Sequence, residues 1–151
     1  MSQFDIARST TVRADPSEVH ALVNDFHAWP LWSPWEDVDP ALQRTYTGPD
    51  SGVGAHYAWS GNRKAGSGSM EITSSTPEQI DLRLSFLKPW KATNDVTFTF
   101  VPVGEDTQVT WRMTGEQKGV AAVFGKVFNM DRLLGRDFEK GLARLKASAE
   151  A

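Results

Sequence analysis

Between Gln79 and Glu116 the chain alternates apolar and polar residues with a period of two, three times in succession. Ile80, Leu82, Leu84 and Phe86 stand against Asp81, Arg83, Ser85 and Leu87. Val96, Phe98 and Phe100 stand against Thr97, Thr99 and Val101, and Val109, Trp111 and Met113 against Thr110, Arg112 and Thr114. Period two is strand geometry, because successive side chains leave opposite faces of a sheet. With Gly, Pro and Asp clusters between the runs, the pattern predicts an antiparallel meander with one apolar and one polar face. The apolar face must be covered. The C-terminal third is the candidate cover: it has no Pro from Val120 to about Ala149, and Val123, Val127, Met130, Leu134, Phe138, Leu142 and Leu145 recur at three- and four-residue steps. Leu133 and Phe128 widen that stripe, while Arg132, Arg136, Lys140, Arg144 and Lys146 fall mostly elsewhere. Asn129-Met130-Asp131 leaves open one long helix or two.

Upstream, Phe4 to Val12 alternates imperfectly and is predicted as a strand. Asp15-Pro16-Ser17-Glu18 opens a helix: Asp15 can cap, Pro16 suits the first helical position, and Glu18 completes a capping-box-like arrangement. Val19, Leu22, Val23 and Phe26 give this helix one apolar face, which puts His20, Asn24 and His27 on the opposite, surface side. The stretch from Ala28 to Trp35 ends the helix with two prolines and carries three of the six Trp. The following strands are expected at Leu42–Thr47, Gly54–Ser60, Gly66–Ser74, Gln79–Leu87, Thr93–Val101 and Gln108–Glu116. No internal repeat, low-complexity tract or dividing linker interrupts the order, so residues 1–151 read as a single α+β domain.

A chain of 151 residues can bury about 68–70% of the surface its unfolded form exposes, so neither a disulfide nor a metal is needed to hold it. Zero Cys removes thiolate zinc sites, iron–sulfur clusters and a cysteine nucleophile. A net charge of −3 argues against a nucleic-acid partner, which calls for a basic patch or stripe. No apolar run reaches the roughly 18–20 residues of a membrane span, and no charged leader precedes an apolar segment. The expected location is the cytoplasm.

The residues that carry acid–base chemistry are poorly placed for it. His20 and His27 read as surface groups; His56 is sent outward if Ala55, Tyr57 and Trp59 face inward. Asp81 and Glu71 fall on the polar register of their strands, and Glu36, Asp37 and Asp39 follow the Trp corner in a solvated loop. No His or carboxylate spacing suits a metal, so no metal and no cofactor are expected. Ser60-Gly61-Asn62 and Gly66-Ser67-Gly68 lack phosphate-loop spacing and read as a hairpin with small residues where the sheet bends or bulges. Arg63 and Lys64 follow Trp59 in an exposed turn, where they are also placed to steer an anionic group. What remains is apolar: Tyr57, Trp59, Met70, Ile72, Leu84, Phe86, Phe98, Phe100, Trp111 and Met113 from the sheet, with Phe128, Met130 and Leu134 from the helix. Trp59 and Trp111 stand out, since a buried indole N–H needs a partner.

Several segments resemble one known superfamily. They are Thr10-Thr11-Val12-Arg13-Ala14-Asp15-Pro16-Ser17-Glu18-Val19, Trp29-Pro30-Leu31-Trp32-Ser33-Pro34-Trp35, Tyr57-Ala58-Trp59-Ser60-Gly61-Asn62, Gly66-Ser67-Gly68-Ser69-Met70-Glu71-Ile72, Val109-Thr110-Trp111 and the closing run from Gly135 to Lys146. Together, and over about Ile6 to Glu150, they resemble the SRPBCC proteins, which take in START, birch-pollen-allergen-like and polyketide cyclase/dehydrase-like domains. The resemblance implies a helix-grip fold, a curved antiparallel sheet of about six or seven strands wrapped around a long C-terminal helix, with an apolar cavity between them. It also implies a small hydrophobic or amphipathic ligand in that cavity, held by Tyr57, Trp59, Met70, Leu84, Phe86, Phe98, Trp111, Met113, Phe128, Met130 and Leu134. Two other functions fit the same resemblance: a polyketide cyclase or dehydratase, with Tyr57 as proton donor, and a co-chaperone-like interaction module built on an exposed patch of Trp29, Trp32 and Trp35.

Overall fold

A computed structural model describes residues 2–34, 41–62, 66–88, 92–117 and 130–150. In chain order the elements are β1 (Ser2–Val12), α1 (Pro16–Asn24), a 3₁₀ helix (Phe26–Leu31), β2 (Gln43–Thr47), β3 (His56–Ser60), β4 (Ser67–Thr76), β5 (Gln79–Lys88), β6 (Ala92–Val103), β7 (Asp106–Gln117) and α2 (Met130–Glu150). The strands form one antiparallel sheet in the order β1-β7-β6-β5-β4-β3-β2. The ladder does not close, so β1 and β2 are its edges. Each strand foreseen from alternation is present, with differences only at the ends. β6 and β7 run longer than expected because a two-residue turn, Gly104-Glu105, lets the ladder continue to the Val103–Asp106 pair. Pro77-Glu78 does the same between β4 and β5, where Thr76 pairs with Gln79 and its hydroxyl accepts the Gln79 amide hydrogen at 3.2 Å.

The inward registers follow the alternation: Ile80, Leu82, Leu84, Val96, Phe98, Phe100, Val109, Trp111 and Met113 are all buried. Ile6 and Val12 complete this face on β1.

The first helix departs from expectation at both ends. Pro16 does occupy the first turn, but the Asp15 side chain makes no capping bond; its backbone carbonyl instead accepts from the Glu18 amide at 3.0 Å. The helix stops at Asn24, before the prolines, because the Asp25 carboxylate accepts the His27 amide hydrogen at 2.9 Å and starts the 3₁₀ helix. The chain then folds back on itself. Trp29 donates its indole N–H to the Val23 carbonyl at 2.9 Å, and Trp32 donates to the Leu22 carbonyl at 2.8 Å. These are last-turn carbonyls, which no amide within the helix can satisfy. The two indoles are therefore packed down, at 1% and 0% exposure, and do not form the exposed interaction patch; Trp35 lies outside the described residues.

His20 is a second correction. It is half-buried rather than a surface group, with its ring 5.4 Å from that of Phe100 and Nε2 3.4 Å from the Ser75 hydroxyl, which donates at 2.6 Å to Asn24. Because α1 packs on β5, β6 and β7 and against α2 as well, its polar side is also partly covered.

The closing helix packs mainly on β1, burying Phe138, Leu142 and Leu145. Arg8, on the inward register of β1, lies beneath buried Gly135 and donates to Glu139 at 2.9 Å. At the far end Lys146 donates to the Thr11 carbonyl at 3.0 Å and the Arg13 amide to Glu150 at 2.8 Å. The described helix begins at Met130, and the earlier part of the predicted stripe, including Val123, Val127 and Phe128, lies outside the described residues. Among the described residues no helix is long and apolar enough to cross a membrane.

Candidate functional site

Strand register sorts the inward side chains into rows. One row runs Tyr46, Tyr57, Met70, Leu84 and Asn94 across β2 to β6. The row on its one side is Arg44, exposed on the edge strand β2, then Trp59, Gly68, Phe86 and Ala92. On its other side lie Ile72, Leu82, Val96, Met113 and Ile6, followed by Ile80, Phe98 and Trp111.

The rows nearest α2 are close-packed. Phe98 contacts Trp29, Trp32 and Trp111 at ring separations of 6.0, 5.8 and 5.1 Å. Trp111 stacks on Phe138 of α2 at 4.2 Å, with 11° between the planes. Phe98 and Trp111 are both 0% exposed. A wholly enclosed aromatic cluster of this kind is packing.

The rows at the opposite end are looser. Trp59 and Phe86 are only partly buried and meet edge to face at 5.8 Å and 87°. Gly68 makes this possible: a Cβ there would stand 2.7 Å from Trp59 Cη2 and would also run into the Ser85 carbonyl. The indole thus lies against the bare backbone of β4. The Gly66-Ser67-Gly68 stretch does carry the expected irregularity, a register shift between Ser67 and Gly68, but the close approach of Trp59 was not foreseen. Aromatic contacts continue from Trp59 to Tyr57 (6.1 Å), to Tyr46 (5.3 Å) and to His27 (4.1 Å), whose Nδ1 is 2.8 Å from the Asp25 carboxylate.

Of the ligand-contact candidates, Tyr57, Met70, Leu84, Phe98, Trp111 and Met113 are buried on the inward face, and Trp59, Phe86 and Leu134 are partly buried beside them. Phe128 lies outside the described residues, and Met130 is described only as the first residue of α2. One inward polar residue was missed. Asn94, on β6, is 6% exposed. Counting back by two from Val96 puts it on the apolar register, but the polar run Thr93-Asn94-Asp95 hides that parity in the sequence.

Charge is kept off the middle of this face, its inward-register arginines, Arg8 and Arg44, standing on the edge strands β1 and β2. Among the described residues, the inward positions of β3 to β6 carry no ionisable acid or base other than the Tyr57 phenol. His56 lies opposite Glu71 on the outer register, and Asp81 accepts there from Gln79 (2.9 Å) and Thr97 (3.0 Å). The perturbed titrations are also elsewhere. A hydrogen bond from Arg112 holds the Asp5 carboxyl below the usual range, and the pairing raises Arg112. Glu150 is lowered by the Arg13 amide first and then by Lys146. Among the described residues no three His, Cys, Asp or Glu side chains cluster as metal ligands. Arg63, Lys64, Glu36, Asp37 and Asp39 lie outside the described residues.

Residues 3–150 match the family described as polyketide cyclase/dehydrase and lipid transport. No curated protein matches the chain. Among solved structures, the KanY protein is similar with a TM-score of 0.72 at 16% identity, covering 100% of both chains. The major latex-like protein 151 of Panax ginseng gives 0.66 at 13% identity, over 99% of each chain. The Aha1 protein of Colwellia psychrerythraea gives 0.63 at 17% identity, over 97% of this chain and 96% of the other. These likenesses fix the architecture as the helix-grip fold, a curved open sheet against a C-terminal helix.

Proposed function

Because the chain belongs to the polyketide cyclase/dehydrase and lipid-transport family, we propose that it binds a small apolar or amphipathic molecule on the inward face of its sheet. One observation carries this reading. The aromatic cluster of Phe98, Trp111 and Phe138 beside α2 is fully buried, yet at β3 to β5 the face leaves two large aromatic rings, Trp59 and Phe86, partly exposed next to buried Met70 and Leu84. Apolar surface left in water costs about 25 cal/mol per Å², and a ligand lying on those rings removes that cost. Flat rings flanked by a pliable Met side chain suit a ligand of variable outline.

The contacts fall to Tyr57, Trp59, Met70, Leu84 and Phe86. Met113 and Leu134 border them, and Phe98 and Trp111 support them from behind. Proton-transfer catalysis is the weaker alternative, since a cyclase or dehydratase needs an acid or base within reach of the reacting atoms. Among the described residues the inward positions of β2 to β6 offer it only the Tyr46 and Tyr57 phenols and the Arg44 guanidinium.

Native mass spectrometry of the purified protein, against a denatured control, tests the proposal. The expected result is a discrete added mass of ligand size that is lost on denaturation and depleted in Trp59→Ala. If the spectrum is clean, the same instrument should detect added 2-naphthol. Absence of both overturns the reading.

A further inference from the structure

Asn94 is the odd residue of the inward face. Its row neighbour on β5 is Leu84, and its neighbours along β6 are Ala92 and Val96. On the other side, the register that pairs Asp95 with Thr114 brings up Gly115, which has no side chain to offer. The residue is 6% exposed, and no described residue hydrogen-bonds to its carboxamide. An amide so nearly enclosed gives up most of its hydration with no described partner to replace it, and the access its polar atoms keep is open to a ligand. Leucine or valine at position 94 would continue the stripe of Val96, Phe98 and Phe100 without that penalty.

The carboxamide both donates and accepts hydrogen bonds while carrying no charge, a property shared along its row only by the Tyr46 and Tyr57 phenols on β2 and β3. Around it, the inward positions of β3 to β6 hold no Lys or Arg among the described residues. The inward-register arginines stand on the edge strands: Arg8 of β1 donates to Glu139, and Arg44 of β2 lies opposite Trp59, four strands from Asn94. A carboxylate or phosphate brought against Asn94 itself would lose its hydration with no described Lys or Arg beside it to replace it. A neutral hydroxyl or carbonyl would lose little and gain Asn94.

We infer that Asn94 reads the polarity of the ligand: the site takes a flat molecule whose neutral hydroxyl or carbonyl pairs with the Asn94 carboxamide while its apolar body lies against Leu84, Phe86 and Trp59. This rests on the binding reading above and names the ligand class within it. The same argument keeps a carboxylate or phosphate away from the Asn94 end of the site.

Three probes of one shape test it by calorimetry at neutral pH: 2-naphthol, 2-methylnaphthalene and 2-naphthoate. One neutral hydrogen bond gives 2-naphthol a preference of about 5- to 10-fold over 2-methylnaphthalene, with 2-naphthoate the weakest. Asn94→Leu erases that preference without weakening 2-methylnaphthalene, and the variant melts no lower than wild type because an unpaired amide has been removed. Trp59→Ala weakens all three. Equal binding of 2-naphthol and 2-methylnaphthalene to wild type overturns the assignment of Asn94, as does a preference that survives Asn94→Leu, tightest binding by 2-naphthoate, or a lower melting temperature in Asn94→Leu. In each of those cases the binding site stands so long as Trp59→Ala weakens the probes. Failure of all three to bind, or indifference of all three to Trp59→Ala, removes the site itself.

Discussion

Gly141→Ala measures how closely the closing helix is seated. On an exposed helix this exchange stabilises by about 1 kcal/mol, because Ala is the better helix former. Here the added Cβ would stand 2.7 Å from Trp111 Cζ3 and 2.9 Å from Pro34 Cδ, with Gly141 itself buried. Neither neighbour can withdraw. The Trp111 indole has Phe138 stacked on it at 4.2 Å, Phe98 at 5.1 Å and the Trp32 ring edge-on at 5.6 Å. Overpacking of a filled interior costs about 1–3 kcal/mol, and the constrained indole puts this case at the upper end. Subtracting the propensity gain leaves a net loss of about 1–2 kcal/mol, or roughly 2–8 °C in melting temperature for a domain of this size. Gly135→Ala is the control: its Cβ meets the guanidinium of Arg8, the end of a flexible chain. Swinging Arg8 aside forfeits a partly exposed ion pair with Glu139, worth about 0–1 kcal/mol, which the propensity gain offsets. Thermal melts followed by circular dichroism should therefore separate the two variants. Equal melting temperatures, or a Gly141→Ala protein as stable as wild type, would refute the close seating.

Trp32→Phe keeps an aromatic ring but removes the N–H that the Leu22 carbonyl accepts, so a loss of about 2 kcal/mol is expected from the unpaired acceptor; an unfolding free energy from urea titration within about 0.5 kcal/mol of wild type, the range of a neutral surface substitution, would contradict it. Glu150→Gln reports on the helix terminus. The folded-state pKa of Glu150 is depressed by the Arg13 amide and Lys146, so its contribution is present above the ordinary glutamate value of about 4.3 and is lost as pH falls through the lower folded value. Melting temperatures of wild type and Glu150→Gln should differ at neutral pH and converge in acid; a gap that widens below pH ~4 would reverse the sign.

The strands were legible because Ile80 to Phe86, Val96 to Phe100 and Val109 to Met113 each face a different medium on each side, and that contrast is written as period two. The helix C-terminus of α1 was not. Its stop at Asn24 depends on the Asp25 carboxylate bonding locally, and the two Trp that satisfy the freed carbonyls come from six and ten residues onward. In sequence they leave an exposed aromatic patch open as one alternative, since indole donors bonding backwards leave no periodic trace. His20 escaped for a related reason: helical spacing gives the direction of a side chain, and only tertiary packing gives what stands in that direction. Asn94 and Gly68 were hidden by chemistry. A polar residue and a residue with no side chain do not register in a search for apolar alternation, though both sit on its inward parity.

Phe98 and Trp59 show why an apolar stripe cannot by itself be divided into core and site. Both are inward aromatics of the same sheet, and from sequence both are equal candidates for ligand contact. Their surroundings give them opposite duties. Phe98 is 0% exposed and held among three indoles, so Phe98→Ala removes a ring that nothing can replace and should cost about 3–5 kcal/mol. Its effect on ligand affinity should appear only through loss of folded protein. Trp59 is partly exposed, laid over Gly68 and braced by Phe86 on one edge. Trp59→Ala forfeits less buried area, about 1–2 kcal/mol, but it removes the ring on which the ligand is proposed to lie. Melting curves and 2-naphthol affinity measured on both variants should therefore move in opposite proportion. A Phe98→Ala protein that melts like wild type yet binds 2-naphthol more weakly would place the ligand deep against Trp111, and the division of the face into a packed half and a binding half would have to be redrawn.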